Sequence, residues 1–275
     1  FGSVGTATTL AALPLATQAR VPLFAPMTGA EALRDPVERH VVHVRASYGQ
    51  ETAAIVRQVT SVGIQRIAVF HQDDSDGQAG LAGVQAALKA RGLDVAGIGV
   101  VARGSAEVAP AVKAVMAARP EAIVQIGSYK PCAVFVRQAR RAGYTGSFYN
   151  VSLVGTQSLL EELGAEAKGV AVSQVVPYPY ASTIPLAAEY QAAVKERRGL
   201  APNYAGMEGY IAAKLFVEVL RKAGRGLSRE GFLAALDGLQ RIDLGGFVLE
   251  YGPNRRAGSH FVDMTLLTED GRVRR

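Results

Sequence analysis

One alternation constrains this chain more than any other feature. Short, nearly all-apolar runs at residues 41–45, 67–71, 95–101, 122–126 and 147–150 are separated by stretches with a single apolar side. The runs are too short for helices and too continuous for strands with one wet face, so they read as buried strands. The intervening stretches read as helices: 47–62 with Ile55, Val56 and Val59 on one side, then one carrying Leu81, Val84 and Leu88, then 108–118 and 131–142. Gly63, Gly92 and Gly143 close three of them and Pro120 the fourth. Glycine accepts the left-handed cap of a helix, and proline cannot continue one. Strand, helix and strand in succession share a sheet only if the strands run parallel and the helices cover its faces. The pattern predicts an α/β protein with parallel sheets wrapped by helices.

The texture changes near residue 177. Pro177-Tyr178-Pro179-Tyr180 is extended, and helices follow over 184–198, 204–223 and 228–239, the last capped by Ser228. Gly245-Gly246 and the turn Gly252-Pro253-Asn254 lead to a final strand at 260–267. With 275 residues, 49% of them hydrophobic, the chain can bury one large core or two smaller ones. No apolar run approaches the roughly 20 residues of a membrane span, so no membrane insertion is expected. Residues 1–20 lack the basic start and long apolar core of a signal peptide. The net charge of +6 is spread among acids, and Arg137, Arg140, Arg141, Lys195, Arg197 and Arg198 read as solvated helix ends. No nucleic-acid partner is expected. The single Cys132 excludes an intramolecular disulfide and reads as an inert buried thiol.

Residues 1–35 carry the candidate site. They read as a loop, a helix with Leu10, Leu13 and Leu15 on its apolar side, a short buried strand at 21–25, a loop and a second helix start. Gly5-Thr6-Ala7-Thr8 precedes the first helix and Met27-Thr28-Gly29-Ala30 the second. Helix starts present unpaired N–H groups and the positive end of the dipole, threonine adds hydroxyls, and glycine admits a ligand to the backbone. Two such starts at the carboxyl ends of parallel strands would seat a carboxylate. Nothing catalytic accompanies them. The glycines 77, 80 and 83 lack the dinucleotide spacing and read as close helix–strand packing; no phosphate-loop or nucleophile-elbow motif occurs. His40 and His43 point to opposite faces of a strand and cannot share a metal. Asp73, Asp74 and Asp76 form an acidic cluster suited to a helix start without any ion. The expectation is a binding protein with no cofactor, no metal site and no enzymatic activity.

The segments VGTATTLAALPL, VPLFAPMTGAEALRDP, VRASY and GSYKPCAVFVRQARRAGYTGSFYNVSLVG resemble the type I periplasmic binding proteins, in particular the Leu/Ile/Val-binding branch that feeds ABC importers. The resemblance covers essentially the whole chain. It implies a periplasmic protein, a membrane permease as partner, and a small solute held in a cleft between two lobes. It also implies three crossings: 1–47 plus 178–250 as the first lobe and 48–177 plus 251–275 as the second. Family members carry a signal peptide and about two further βα units ahead of the position numbered 1 here, so the first lobe is expected to be incomplete. Thr6, Thr28 and Gly29 match positions that hold the ligand carboxylate, and Tyr129 matches a ligand-contacting tyrosine in the loop after the strand at 122–126. Two departures stand out. Ser152 occupies the position of an acid that holds the ligand ammonium, and Asp76 the position of an aromatic residue. Either Asp76 or Glu208 replaces that acid from another direction or the solute carries no ammonium, and Tyr204, Met207 and Glu208 are expected to line the pocket from the first lobe. Two alternatives stay open: a sensor or regulator of the same fold, and a binder of an organic acid without an amino group.

Overall fold

The expected alternation of strand and helix is realised along most of the chain in the computed structural model, which describes residues 1–275. Two units result, Phe1–Ala46 with Val175–Phe261 and Ser47–Gln174 with Val262–Arg275. The chain starts in the first with α1 (Thr6–Gln18), β1 (Leu23–Phe24) and β2 (Val41–Val42). It then builds the second from α2 (Tyr48–Ser61), β3 (Ile67–Asp73), α3 (Ser75–Lys89), β4 (Ile98–Ala102), α4 (Ala109–Ala117), β5 (Ala122–Ile126), α5 (Tyr129–Arg141), β6 (Ser147–Asn150), α6 (Thr156–Leu163) and β7 (Val170–Gln174). It returns to the first for α7 (Pro185–Lys195), α8 (Tyr204–Ala223), α9 (Arg229–Asp237), β8 (Arg241–Asp243) and β9 (Val248–Glu250). β10 (Asp263–Leu267) and β11 (Val273–Arg274) complete the second.

The last passage falls at 261–262 rather than at 251–253. The residues after β9 stay tied to the first unit by backbone bonds: His43 N–H to the Arg256 carbonyl at 2.7 Å and Gly258 N–H to the His43 carbonyl at 2.9 Å. The Tyr251 hydroxyl donates to that same carbonyl at 2.8 Å. A turn of glycine and proline marked a change of direction, and nothing in it signalled that the chain would first pair with residue 43.

The second unit is built on a seven-stranded sheet in the order β11-β10-β7-β6-β5-β3-β4. From β4 to β7 the strands are parallel. Here the structure departs from an all-parallel expectation, because β10 runs antiparallel to β7 and β11 antiparallel to β10. Parallel neighbours need a crossover of a dozen or more residues; β11 follows β10 through a tight turn closed by Thr268 N–H to the Arg272 carbonyl at 3.0 Å. Both faces of the central strands are covered. Ile67 and Val69 of β3 pack with Ile55, Val56 and Val59 of α2 and Val84 and Leu88 of α3. On the alternate residues, Phe70 stacks on Phe135 of α5 with ring centroids 4.2 Å apart, a contact that adds about 1 kcal/mol to the area it buries. Ser47 opens α2 with a complete capping box to Gln50.

The first unit has less sheet. β1 and β2 pair in parallel, and β8 and β9 form a separate antiparallel hairpin. Asp243 Oδ1 accepts from the amides of Gly245 and Gly246, both at positive φ, which is how the glycine pair turns that hairpin. Two expectations for its opening segment need correction. Leu10 and Leu15 of α1 are exposed, Leu15 by 69%, and the buried residues of the helix are Thr6, Thr9 and Ala16. The threonines can turn inward because their hydroxyls are satisfied, Thr9 by the Gly5 carbonyl at 2.9 Å and Thr6 by Thr28. The second helix start is a single 3-10 turn, Glu31–Leu33. Pro36 lacks the N–H that would extend it and disfavours helical geometry at Asp35. No helix is long and apolar enough to cross a membrane.

The glycines of α3 are packing residues. A Cβ on Gly80 would lie 2.7 Å from Ile126 Cγ2, and one on Gly77 would lie 1.9 Å from the Gln72 carbonyl oxygen. Replacing Gly80 by alanine should therefore cost about 1–3 kcal/mol. Ile126→Ala alone should cost about 2–5 kcal/mol, and the double variant should cost clearly less than the sum, because the new methyl occupies the vacated space. Urea denaturation of the four proteins measures this; strict additivity would show that the two residues do not compete for one volume.

Candidate functional site

In the second unit, the segments after β3, β5 and β6 emerge at the carboxyl edge of the parallel sheet, where α/β proteins bind their ligands. Asp76 lies in the first turn of α3, Tyr129 is the first residue of α5, and Ser152 opens a short 3-10 turn after β6. Tyr129 was expected in a loop; Ser128 takes the cap position instead and its N–H meets the Gln72 side chain, so helix geometry begins at the tyrosine. The acidic cluster does not converge on a cation. Asp74 caps α3 by accepting from Gly77 N–H at 2.8 Å, and Asp76 accepts from the Tyr48 hydroxyl at 2.9 Å.

Ser152 sits against a carboxylate from another part of the chain. Its N–H donates to Glu51 Oε2 at 2.7 Å and its hydroxyl to Glu51 Oε1 at 3.0 Å. The Ser173 hydroxyl of β7 donates to the same Oε2 at 2.6 Å. Glu51 and Ser173 are fully buried, whereas Ser152 is half-buried. Glu51, Tyr48 and Ser173 were absent from the residues singled out in the sequence. A signal existed: Glu51, Ile55 and Val59 are four residues apart, so the acid falls on the apolar face of α2. An acid at such a position demands donors.

In the first unit, the loop after β1 and the start of α1 meet. Thr6 and Thr28 join hydroxyl to hydroxyl at 2.6 Å, and Thr28 Oγ1 accepts from Ala30 N–H at 3.1 Å. Both threonines are buried, as is Gly29. Arg34 donates to the carbonyls of Thr28, Arg45 and Ala46, drawing this loop to the segment that leaves β2. Tyr204 and Met207 of α8 are buried, with the Tyr204 ring 6.3 Å from that of Tyr178. Glu208, one of the two acids open as an ammonium partner, lies 3.5 Å from the guanidinium of Arg45, and both are buried. Its charge is matched within its own unit.

The family model described as periplasmic binding protein matches residues 1–270. Among solved structures, a possible leucine/isoleucine/valine-binding protein from Rhodopirellula baltica SH 1 superposes with a TM-score of 0.93 at 34% identity, covering 98% of this chain and 74% of that one. A substrate-binding periplasmic protein from Ralstonia solanacearum gives 0.89 at 31% identity, covering 99% and 78%. A branched chain amino acid ABC transporter from Thermus thermophilus with bound valine gives 0.85 at 18% identity, covering 99% and 75%, and so shares the fold. Among curated proteins, none matches.

The electrostatics of the first unit carry a pH dependence. His43 is buried, and its Nε2 lies 3.0 Å from the Leu33 carbonyl, which requires the proton on that nitrogen. Burial, aided by the positive charge of Arg34, holds its pKa at about 3 against 6.5 when unfolded. The folded state thus binds this proton less readily, so its contribution is complete above pH 6.5 and declines as pH falls toward 3. Between pH 7 and 4.5, His43 should remove roughly 2–3 kcal/mol of stability. His43→Gln keeps a donor near the carbonyl and does not titrate. Its denaturation free energy should fall less over that range than the wild type's, and parallel curves would show that another group is responsible.

Proposed function

We propose that this chain, which belongs to the periplasmic binding protein family, is the extracytoplasmic solute-binding component of an ABC importer. The solute is a small carboxylate-bearing molecule, a branched-chain or related amino acid. The observation that carries this reading is the Thr6–Thr28 pair at the carboxyl end of β1 and β2. The hydroxyl–hydroxyl bond fixes the two side chains to each other, and Thr6 is the first residue of α1, so hydroxyls and helix-start amides lie together. That combination suits a carboxylate. Gly29 beside Thr28 admits the ligand to the backbone. Tyr129, Tyr204 and Met207 supply apolar and aromatic surface for a hydrocarbon or ring body. Support also comes from relatives at 34% and 31% identity described as a possible leucine/isoleucine/valine-binding protein and a substrate-binding periplasmic protein. In this reading the partners are the solute and a membrane permease, the location is periplasmic, and no chemical step takes place on the protein.

The test is a thermal-shift screen of amino acids and organic acids on the full chain, followed by calorimetry of those that stabilise it. A solute at 100 times its dissociation constant should add about 2.7 kcal/mol. Thr6→Val and Thr28→Val should each weaken binding by about tenfold or more, and the double variant should lose less than the product of the two, because the residues act as a pair. If no amino or carboxylic acid stabilises the protein, the proposal fails.

A further inference from the structure

We propose that β4 is a dimerisation edge, at which two copies of this chain join by antiparallel pairing of β4 with β4. Ile98 and Val100 of each strand then stand opposite Val100 and Ile98 of the second copy. The inference goes beyond solute binding and does not depend on it. β4 ends the seven-stranded sheet and has β3 on one side only. Val69 of β3, in register with Ile98, donates its N–H to the Gly97 carbonyl at 2.9 Å. The odd-numbered residues of β4 therefore bond to β3. Successive residues of a strand turn their N–H and C=O to opposite sides, so Ile98 and Val100 present theirs to the open edge. Their side chains stand on the face away from α4, because a Cβ on Gly99 would lie 2.8 Å from the Ala111 carbonyl oxygen of that helix. Ile98 and Val100 are 39% and 47% exposed.

Proteins blunt a free edge with charge or brevity, and two other edges of this chain follow the rule. β11, at the far end of the same sheet, has two residues and is set among Arg272, Arg274 and Arg275. β8 carries Arg241 and Asp243. β4 reads Ile98-Gly99-Val100-Val101-Ala102, without a charge or a proline, in unbroken register with β3. The charges lie in its flanks, in an order that fits a second copy. Asp94 precedes the strand and Arg103 follows it, and both are exposed; Arg103 reaches Asp74 only at 3.8 Å. With Gly99 facing Gly99 across a two-fold axis, Asp94 comes beside Arg103 of the second copy, and exposed Arg91 comes opposite its exposed Glu107. The symmetry repeats each contact. Parallel pairing would set like charges together, so the flanks select the antiparallel copy. Gly99 at the axis adds no side chain to the closest approach, and both backbone groups of Ile98 and Val100 find partners.

Sedimentation equilibrium and amide hydrogen exchange on the full chain test the proposal. The mass should rise from one chain toward two as the concentration increases to about 100 μM. The Ile98 and Val100 amides should exchange more slowly in the concentrated protein than in the diluted one. Val100→Lys, at a position exposed in the single chain, should leave the thermal melt nearly unchanged and abolish the dimer. Asp94→Arg should weaken the dimer severalfold, and adding Arg103→Asp should restore it, because the double reversal rebuilds the pair in the opposite sense. A chain that stays monomeric over this range overturns the inference, as does a dimer that survives Val100→Lys or leaves the Ile98 and Val100 amides exchanging at the monomer's rate. A mass that grows beyond two chains also overturns it, since the edge would then template open assembly. If Val100→Lys does not fold, the charge reversal decides: a double variant no better than Asp94→Arg alone overturns the antiparallel pairing.

Discussion

The buried carboxylate of Glu51 is the interaction on which the carboxyl edge of the second unit depends. A charge in a fully buried position is tolerated only where donors replace water. Here they come from two places distant in sequence, Ser152 after β6 and Ser173 within β7. Those bonds fix where α2 begins relative to the sheet and hold the turn after β6 in place. The capping box of Ser47 and Gln50 starts the helix one turn earlier, so Glu51 also sits near the positive end of its dipole. One residue therefore joins helix placement, sheet edge and the turn at Ser152.

The first unit solves a different problem. It has little sheet, and much of its definition comes from buried charges and backbone links between segments far apart in the chain. Arg45 lies beside Glu208, and Arg256 pairs with Asp237 at 2.7 Å. Such pairs contribute little net stability compared with apolar packing, but leaving one partner alone is costly, so they exclude alternative registers. His43 remains neutral chiefly because it is buried, with the positive charges of Arg34 and Arg45 adding to the effect. Apolar packing accumulates around Phe24, whose ring meets those of Phe1, Phe216 and Phe232.

Much of this architecture was legible in the sequence for simple reasons. β5, β6 and α8 lie where continuous apolar runs and a helical period put them, because burial on both faces of a sheet leaves few other residue choices. The α3 glycines read correctly as packing residues, since their spacing fitted no phosphate loop and the helix needed close approach to Ile126. α6 and β7 were not read at all: a two-turn helix and a five-residue strand beside glycines give too short a period to stand out. The apolar side assigned to α1 was wrong because hydrophobic periodicity cannot anticipate that Thr6 and Thr9 find partners and turn inward.

The sequence by itself determined the α/β class, the repeated strand–helix unit and the positions of most elements, because each follows from local period, caps and residue chemistry. Only the tertiary structure decided which charges meet. That Asp76 takes the Tyr48 hydroxyl, that Glu208 faces Arg45, and that Ser152 leans on Glu51 are matters of distance between residues 28, 163 and 101 positions apart in the chain. No pattern along one strand or helix encodes such a meeting. It arises when the sheet order brings the ends of separate segments together and the energetic demand of a buried charge selects among the partners placed there.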